Sequence, residues 1–293
     1  GFDYDFTVIS LTSSGDTNWI YRYNGPGNSS DHAYSIVYGS DGNIYVAGRS
    51  YGSGTSDDFT VISLTPQGTQ RWVYRYNGPG NSSDHAYSIV YGSDGNIYVA
   101  GYSYGFSVDF TVISLTPQGT ENWVYTYNGP GNDNDGAYSI VYGSDGNLYV
   151  AGESYGFSVD FTVISLTPQG TQRWVYRYNG PENGSDRAYS IVYGSDGNLY
   201  VAGESEGSGT YSDFTVISLN PATGIEEPSF TATPEPNLNI SPNPFATSTT
   251  ISFTRKGQRA MGIGLRIYDV SGRLIKSIHL TTNHMSLGTK LNL

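Results

Sequence analysis

Short apolar runs separated by turn residues are the dominant pattern of residues 1–220. In one stretch they occupy 86–91, 97–102, 110–115 and 123–127 and are rich in Tyr, Val, Ile, Phe and Trp, types that suit a pleated, half-buried surface. The first two runs are joined through Gly-Ser-Asp-Gly, whose Asp-Gly pair supplies the positive φ that short hairpins need. The last two are joined through Thr-Pro-Gln-Gly-Thr, where Pro sets the turn and Gly closes it. The pattern predicts four-stranded antiparallel meanders, whose strands we letter a to d. In Phe59-Thr60-Val61-Ile62-Ser63-Leu64 one face presents Phe59 and Val61 and the other Ile62 and Leu64. Such a sheet is apolar on both sides and must be covered on both.

The available covers are its own copies. Asp-Phe-Thr-Val-Ile-Ser-Leu begins at Asp5, Asp58, Asp109, Asp160 and Asp213, at spacings of 53, 51, 51 and 53, and Trp19, Trp72, Trp123 and Trp174 keep step. A period near 50 built from four strands predicts an all-β fold, a β-propeller whose blades stack face to face around an axis. A β-helix uses shorter coils, and a sandwich does not repeat so literally. The array enters at a strand c and leaves after another, one strand c too many for a clean four-blade closure. The expectation is an incomplete propeller, an arc cut from a larger ring.

Composition removes other classes. The chain of 293 residues has no cysteine, hence no disulfide framework and no thiolate-ligated metal. It has no apolar run long enough for a spanning helix. The chain starts without Met or a signal peptide, so a preceding segment is expected. Residues 1–224 hold 7 basic and 22 acidic residues, net −15, and residues 225–293 hold 7 basic and 4 acidic, net +3. An array of that charge repels nucleic acid.

The blocks at 72–81 (Trp-Val-Tyr-Arg-Tyr-Asn-Gly-Pro-Gly-Asn), 84–90 (Asp-His-Ala-Tyr-Ser-Ile-Val) and 95–103 (Gly-Asn-Ile-Tyr-Val-Ala-Gly-Tyr-Ser) resemble the bacterial SBBP-type β-propeller repeat. That resemblance implies a propeller in a secreted or surface protein and no particular enzymatic activity. Residues 221–236 read as a Pro-rich linker. The tail 237–293 carries Ser241-Pro242-Asn243-Pro244-Phe245, the run 249–253, and 265–276 with its Val-Ser-Gly-Arg hairpin turn. It resembles the C-terminal sorting domain of type IX secretion or the related Ig-like module of hook-capping proteins, a small β-sandwich-like domain. The resemblance implies contact with secretion machinery and a secreted or cell-surface location. After Lys276 the tail lacks the usual closing strands and reads as truncated.

The candidate chemistry is sparse. Asp31, Asp84, Asp135 and Asp186 share one repeat position, and Asp5, Asp58, Asp109, Asp160 and Asp213 share another. A catalytic pair breaks symmetry because its acid and base need different surroundings, whereas acids present in every copy suit turns and strand entries. Asp133-Asn134-Asp135-Gly136 covers part of a calcium loop but has no glutamate at the twelfth position. No cofactor or metal is implied. His32 and His85 share a position that Gly136 and Arg187 take elsewhere, and no Gly-x-Ser-x-Gly elbow accompanies them. Tyr51, Tyr104 and Tyr155 follow strand b in a Gly-rich loop, with Glu206 in the fourth copy. These tyrosines, with Asp31, Asp84, Asp135 and Asp186, are the candidate ligand-binding residues on the face that carries the b–c and d–a loops. They could stack on and hydrogen-bond a sugar or peptide; covering their own loops is the competing role.

From these features the sequence predicts an exported or cell-surface binding or structural module without catalytic activity of its own, with a surface glycan or envelope protein as partner. The alternative is a polysaccharide-acting hydrolase or lyase, with its catalytic part on the propeller axis or in a region upstream. An enzyme should show acids that vary among copies, such as Glu121, Glu153, Glu182, Glu204 and Glu206, converging on the axis.

Overall fold

The computed structural model describes residues 3–207, 209 and 211–224, together with the backbone of five strands between 237 and 292. The chain divides into two compact units, Gly1–Pro228 and Ser229–Leu293.

The first unit is all-β, a propeller arc of five antiparallel sheets. The first sheet has two strands, β1 (Phe6–Leu11) and β2 (Thr17–Tyr23). Three four-stranded blades follow: β3 (Asp31–Tyr38), β4 (Ile44–Tyr51), β5 (Asp57–Leu64) and β6 (Gln70–Tyr76); β7 (His85–Tyr91), β8 (Ile97–Tyr104), β9 (Val108–Leu115) and β10 (Glu121–Tyr127); β11 (Asp135–Tyr142), β12 (Leu148–Tyr155), β13 (Val159–Leu166) and β14 (Gln172–Tyr178). The last sheet has three strands, β15 (Asp186–Tyr193), β16 (Leu199–Glu206) and β17 (Ser212–Leu219). Each blade is a meander in sequence order, and β3, β7, β11 and β15 lie beside one another, so the strands a line the axis. The ring is not closed.

The sequence motifs act locally as chemistry dictates. In the a–b link the positive φ falls on the glycine of Asp-Gly alone, at Gly42, Gly95, Gly146 and Gly197. The preceding aspartate binds instead, Asp41 accepting from the Asn43 amide at 3.1 Å and from the Tyr45 hydroxyl at 2.6 Å. The d-strand tryptophans couple blades. Trp19, Trp72, Trp123 and Trp174 donate Nε1–H to the carbonyls of Pro66, Pro117, Pro168 and Pro221, one copy further on. The indole of Trp123 covers Gly170, where an added Cβ would sit 2.7 Å from the ring. Pro221 and Gly224, which the sequence assigns to the linker, form the last of these turns against Trp174.

Blade stacking builds the core. Tyr45, Phe59 and Val61 of one blade meet Ile89, Ile97, Val99, Ile113 and Leu115 of the next, all buried. The same set recurs in the following two interfaces. Burying one such side chain is worth about 1.5–3 kcal/mol, so the copies hold one another in place.

In the second unit β18 (Asn237–Ser241), β19 (Ser248–Thr254) and β22 (Ser286–Asn292) form one antiparallel sheet, and β20 (Ile263–Tyr268) pairs with β21 (Leu274–Leu280) in another. A strand is thus present beyond Lys276, where the sequence reading expected none, because β19 offers its second edge for pairing. The Ser241-to-Phe245 motif after its first residue, the Val-Ser-Gly-Arg turn and linker residues 225–236 lie outside the described residues.

Candidate functional site on the propeller axis

The site is made by a defect repeated four times. In every copy the a–b ladder slips by one residue, between Ala33 and Ser35, Ala86 and Ser88, Ala137 and Ser139, and Ala188 and Ser190. Such a bulge leaves one residue unpaired and re-aims its side chain. The bulged residues are Tyr34, Tyr87, Tyr138 and Tyr189, and their rings form a row with centroids 5.4, 5.8 and 5.8 Å apart. Opposite each bulge stands a glycine. At Gly101 a Cβ would fall 1.9 Å from the His85 carbonyl oxygen, so only glycine admits the slipped ladder.

Two residues before the bulged tyrosine, each strand a carries a variable residue that pairs in register with a variable residue of strand b. The four pairs are His32 with Arg49, His85 with Tyr102, Gly136 with Glu153, and Arg187 with Glu204. The flanking segments Ala-Tyr-Ser-Ile-Val-Tyr and Tyr-Val-Ala-Gly are identical in all four copies. No two pairs are alike.

These side chains are linked. Arg49 donates Nε–H to the Tyr34 hydroxyl at 2.8 Å and is ion-paired with Asp57. His85 Nε2 lies 3.4 Å from the same Asp57 carboxylate, which can only accept, so Nε2 carries the proton. The Tyr102 hydroxyl then donates to Nδ1 at 2.8 Å, with the Tyr87 hydroxyl 3.2 Å from the same nitrogen. Burial pushes the His85 imidazole down to about 4, with Arg49 adding to the effect against the pull of Asp57, so the ring is neutral near pH 7. Further along the row, Tyr138 donates to Glu153 at 2.5 Å and Tyr189 to Glu204 at 2.8 Å. Arg187 bridges both glutamates, at 2.5 and 3.1 Å. The Tyr189 hydrogen bond, followed by Arg187, holds Glu204 below the usual carboxylate range despite partial desolvation. The face therefore presents a neutral imidazole, the paired carboxylates of Glu153 and Glu204 and a row of aromatic rings. Phe106 and Phe157 are fully exposed in the b–c loops that follow β8 and β12.

The candidate binding residues from the sequence lie beside this cluster. Asp31, Asp84, Asp135 and Asp186 are buried. Their carboxylates accept the amides of Gly25, Gly78, Gly129 and Gly180 at 2.7–2.8 Å. The first three also accept the amides of Tyr51, Tyr104 and Tyr155. Burial raises Asp84 to about 6 against these amide bonds. The first three carboxylates thus tie the d–a loop to strand b, whereas Asp186 holds only the Gly180 amide and its Oδ1 is buried without a hydrogen-bond partner among the described residues. Tyr51, Tyr104 and Tyr155 end β4, β8 and β12, their rings against Gly27, Gly80 and Gly131 of their own d–a loops. Among the described residues no cluster of three or more His, Asp or Glu side chains is placed to hold a metal ion. No helix among them is long and apolar enough to cross a membrane.

Sequence reasoning singled out His85, Arg187, Glu153 and Glu204 separately and missed Arg49, Tyr102, the tyrosine row and Asp57. Asp57 varies among copies, being Val108, Val159 and Ser212 elsewhere, but stands beside the invariant Asp58, which masks it. The available signal was the pair of variable positions inside otherwise identical strands.

No protein-family model matches the chain, and no curated protein matches it in sequence. Solved structures similar to it are β-propeller proteins. A quinohemoprotein alcohol dehydrogenase from Pseudomonas putida HK5 is 10% identical over 95% of this chain and 58% of its own, with a TM-score of 0.47. This chain therefore spans a little over half of that protein's length. The periplasmic gluconolactonase of Pseudomonas aeruginosa is 14% identical over 98% of this chain and 99% of its own, at a TM-score of 0.35. An α-L-arabinofuranosidase of Clostridium thermocellum is 15% identical over 86% and 96%, at a TM-score of 0.38. Likeness at this level carries no substrate across. The expectation of a binding or structural module without catalytic activity is nonetheless corrected. Glu153 and Glu204, acids that vary among copies, converge on the axial face through Arg187, as the enzyme alternative required. The chain shows the fold of an incomplete β-propeller.

Proposed function

We propose that the protein is an enzyme acting on polysaccharide, a hydrolase or lyase whose site is the axial face. The observation that carries this is the set of four registered a–b pairs, all different, inside strands that are otherwise copied. Structure alone explains repetition; it does not explain why the facing pair of the a–b ladder differs in every copy. The tyrosine row and the exposed Phe106 and Phe157 offer apolar ring faces on which sugar rings can stack. The neutral His85 supplies a base, Tyr102 a hydroxyl acid beside it, and Glu153 and Glu204 carboxylates for a base or nucleophile. In a lyase reaction His85 would take the proton from the carbon next to a uronate carboxylate while Tyr102 protonates the departing glycosidic oxygen. In a hydrolase reaction a glutamate would direct water or attack the anomeric carbon.

The propeller motifs support repeats of the SBBP type, and the tail motifs support export to the cell surface, where polymeric glycans are met. The test is incubation of the full chain with a panel of neutral and uronate-containing polysaccharides, reading new reducing ends and ultraviolet absorbance of unsaturated products. Reducing ends with absorbance mark a lyase, and reducing ends without it a hydrolase. If the activity is a lyase, His85→Ala should lower turnover by at least about 100-fold, and if it is a hydrolase, Glu153→Gln should, the usual scale of one acid–base group. Turnover unchanged in both variants, or absent on every polymer, would exclude the axial site.

A further inference from the structure

The three complete blades share one polar arrangement beside strand d, and the middle blade lacks its central part. In the first blade Arg75 of β6 reaches β4 and β5. Its Nε and Nη2 donate to one oxygen of Asp58 at 3.2 and 2.6 Å, and its Nη1 and Nη2 donate to the hydroxyl and the carbonyl of Ser50 at 2.6 and 3.0 Å. In the third blade Arg177 of β14 pairs with Asp160 at 2.7 Å and donates to the Ser154 carbonyl at 3.3 Å. The equivalent residue of the second blade, on β10, is Thr126, which is short and exposed.

The surroundings of the missing side chain are retained. Residues 103–110, Ser-Tyr-Gly-Phe-Ser-Val-Asp-Phe, are identical to residues 154–161 of the third blade, and Thr126 faces Thr111 as Arg177 faces Thr162. The room is retained too. An added Cβ at Gly156 would meet Nη2 of Arg177 at 2.7 Å, whereas at Gly105 nothing comes nearer than Pro79 at 3.5 Å and the Asp109 carboxylate at 3.6 Å. Asp109 accepts from the Ser107 hydroxyl at 3.0 Å and has no basic side chain paired with it among the described residues. The Ser103 hydroxyl, whose counterpart in the first blade takes a bond from Arg75, instead shares one of 2.8 Å with Thr111. Burial raises the Asp109 carboxyl against its Ser107 bond alone, while at Asp160 the Arg177 charge pulls the other way. Asp109 in turn adds to burial in raising Asp135 of the next blade.

We propose that the second blade holds a binding site for a guanidinium group brought by a ligand, seated on the Asp109 carboxylate and the Ser103 carbonyl where Arg75 and Arg177 sit in the neighbouring blades. A guanidinium is favoured over an ammonium because its planar fork donates to a carboxylate and a carbonyl at once. Two sources carry this group, an arginine side chain of a partner protein and a small guanidino compound.

Amide chemical shifts of the full chain, followed at pH 7 as methylguanidinium chloride is added against matched sodium chloride, read the site. The wild type should show one saturable set of changes at residues 103–109 and 126, with a dissociation constant on the order of 1–10 mM, as a few charge-assisted hydrogen bonds provide. Asp109→Asn should weaken binding at least about tenfold by removing the charged acceptor. Thr126→Arg should abolish it and raise the melting midpoint, since the chain then fills the site itself. Arg177→Thr should create a second set of changes at residues 154–160. Circular dichroism checks that the variants are folded; should Arg177→Thr not be, Arg75→Thr takes its place, with the new changes at residues 50–58. Tighter binding of a blocked arginine amide than of methylguanidinium marks a protein side chain as the ligand, and equal or weaker binding marks a small guanidino compound. No saturable change at residues 103–109, an equal response to methylammonium, or a response that survives Thr126→Arg overturns the proposal.

Discussion

The outer layers of the blades and the surface around the axis obey opposite rules. Between blades every copy repeats the same contacts: Phe59, Phe110 and Phe161 are equivalent and equally buried, and each d-strand Trp reaches a carbonyl one copy further on. At the axis the facing pairs are His–Arg, His–Tyr, Gly–Glu and Arg–Glu. Repetition serves packing because stacking needs the same complementary surface at each step. Chemistry needs unequal neighbours, since environments must push acids and bases apart. Where a tandem array departs from its own consensus at facing positions is therefore where to look for a site.

The comparison breaks most readily in the core. Phe110→Ala should cost about 3–5 kcal/mol by loss of packing and the cavity left behind, whereas Phe214→Ala, at the same repeat position but exposed, should cost about 0.5 kcal/mol or less. Urea titrations of the two variants decide it; equal losses would mean that stacking is not what buries the blade faces. A smaller contrast separates two glycines. Gly101→Ala should lose about 1–3 kcal/mol, because its methyl would overlap a backbone oxygen. Gly136→Ala should stay within about 0.5 kcal/mol, the nearest atom to its methyl being the Tyr138 hydroxyl at 3.6 Å. Trp123→Phe, which leaves the Pro168 carbonyl without its indole donor, should cost about 1 kcal/mol, read as a shift in the denaturation midpoint.

Acidity gives the finest test. His85 is held near 4, below its ordinary 6.5, so the unfolded chain binds the proton more readily between those values. Its contribution is present in full above pH 6.5 and is lost as pH falls towards 4. Asp84, raised to about 6, acts in the opposite sense, its contribution being lost as pH rises from about 4 to 6. Wild type and His85→Gln share the Asp84 effect. Denaturation at pH 7 and 4.5 should therefore show a steeper loss on acidification in the wild type, and identical slopes would mean that His85 titrates normally.

Much of this was legible in the chain. The period, the two-faced apolar strands and the turns of Pro and Gly determined the meanders and their stacking, because local propensity and burial agree at every copy. Strand ends were less legible. β5 begins at Asp57 and not at Phe59, and β10 at Glu121 and not at Trp123, since ladders continue as far as a partner strand does, whatever the residue.

What only the tertiary structure decided is the site. The segment Ala-Tyr-Ser-Ile-Val reads as a regular strand, and nothing local announces that its tyrosine is unpaired; the slip exists because β4, β8, β12 and β16 each offer a glycine across the ladder. A register change of one residue moves side chains to the other face. It is what gathers Tyr34, Tyr87, Tyr138 and Tyr189 into one row and sets Asp57, His85 and Tyr102, distant in sequence, within hydrogen-bonding reach. Sequence periodicity records which surfaces must be hidden, whereas the alignment of neighbouring strands, a property of pairs of segments, determines which polar groups meet.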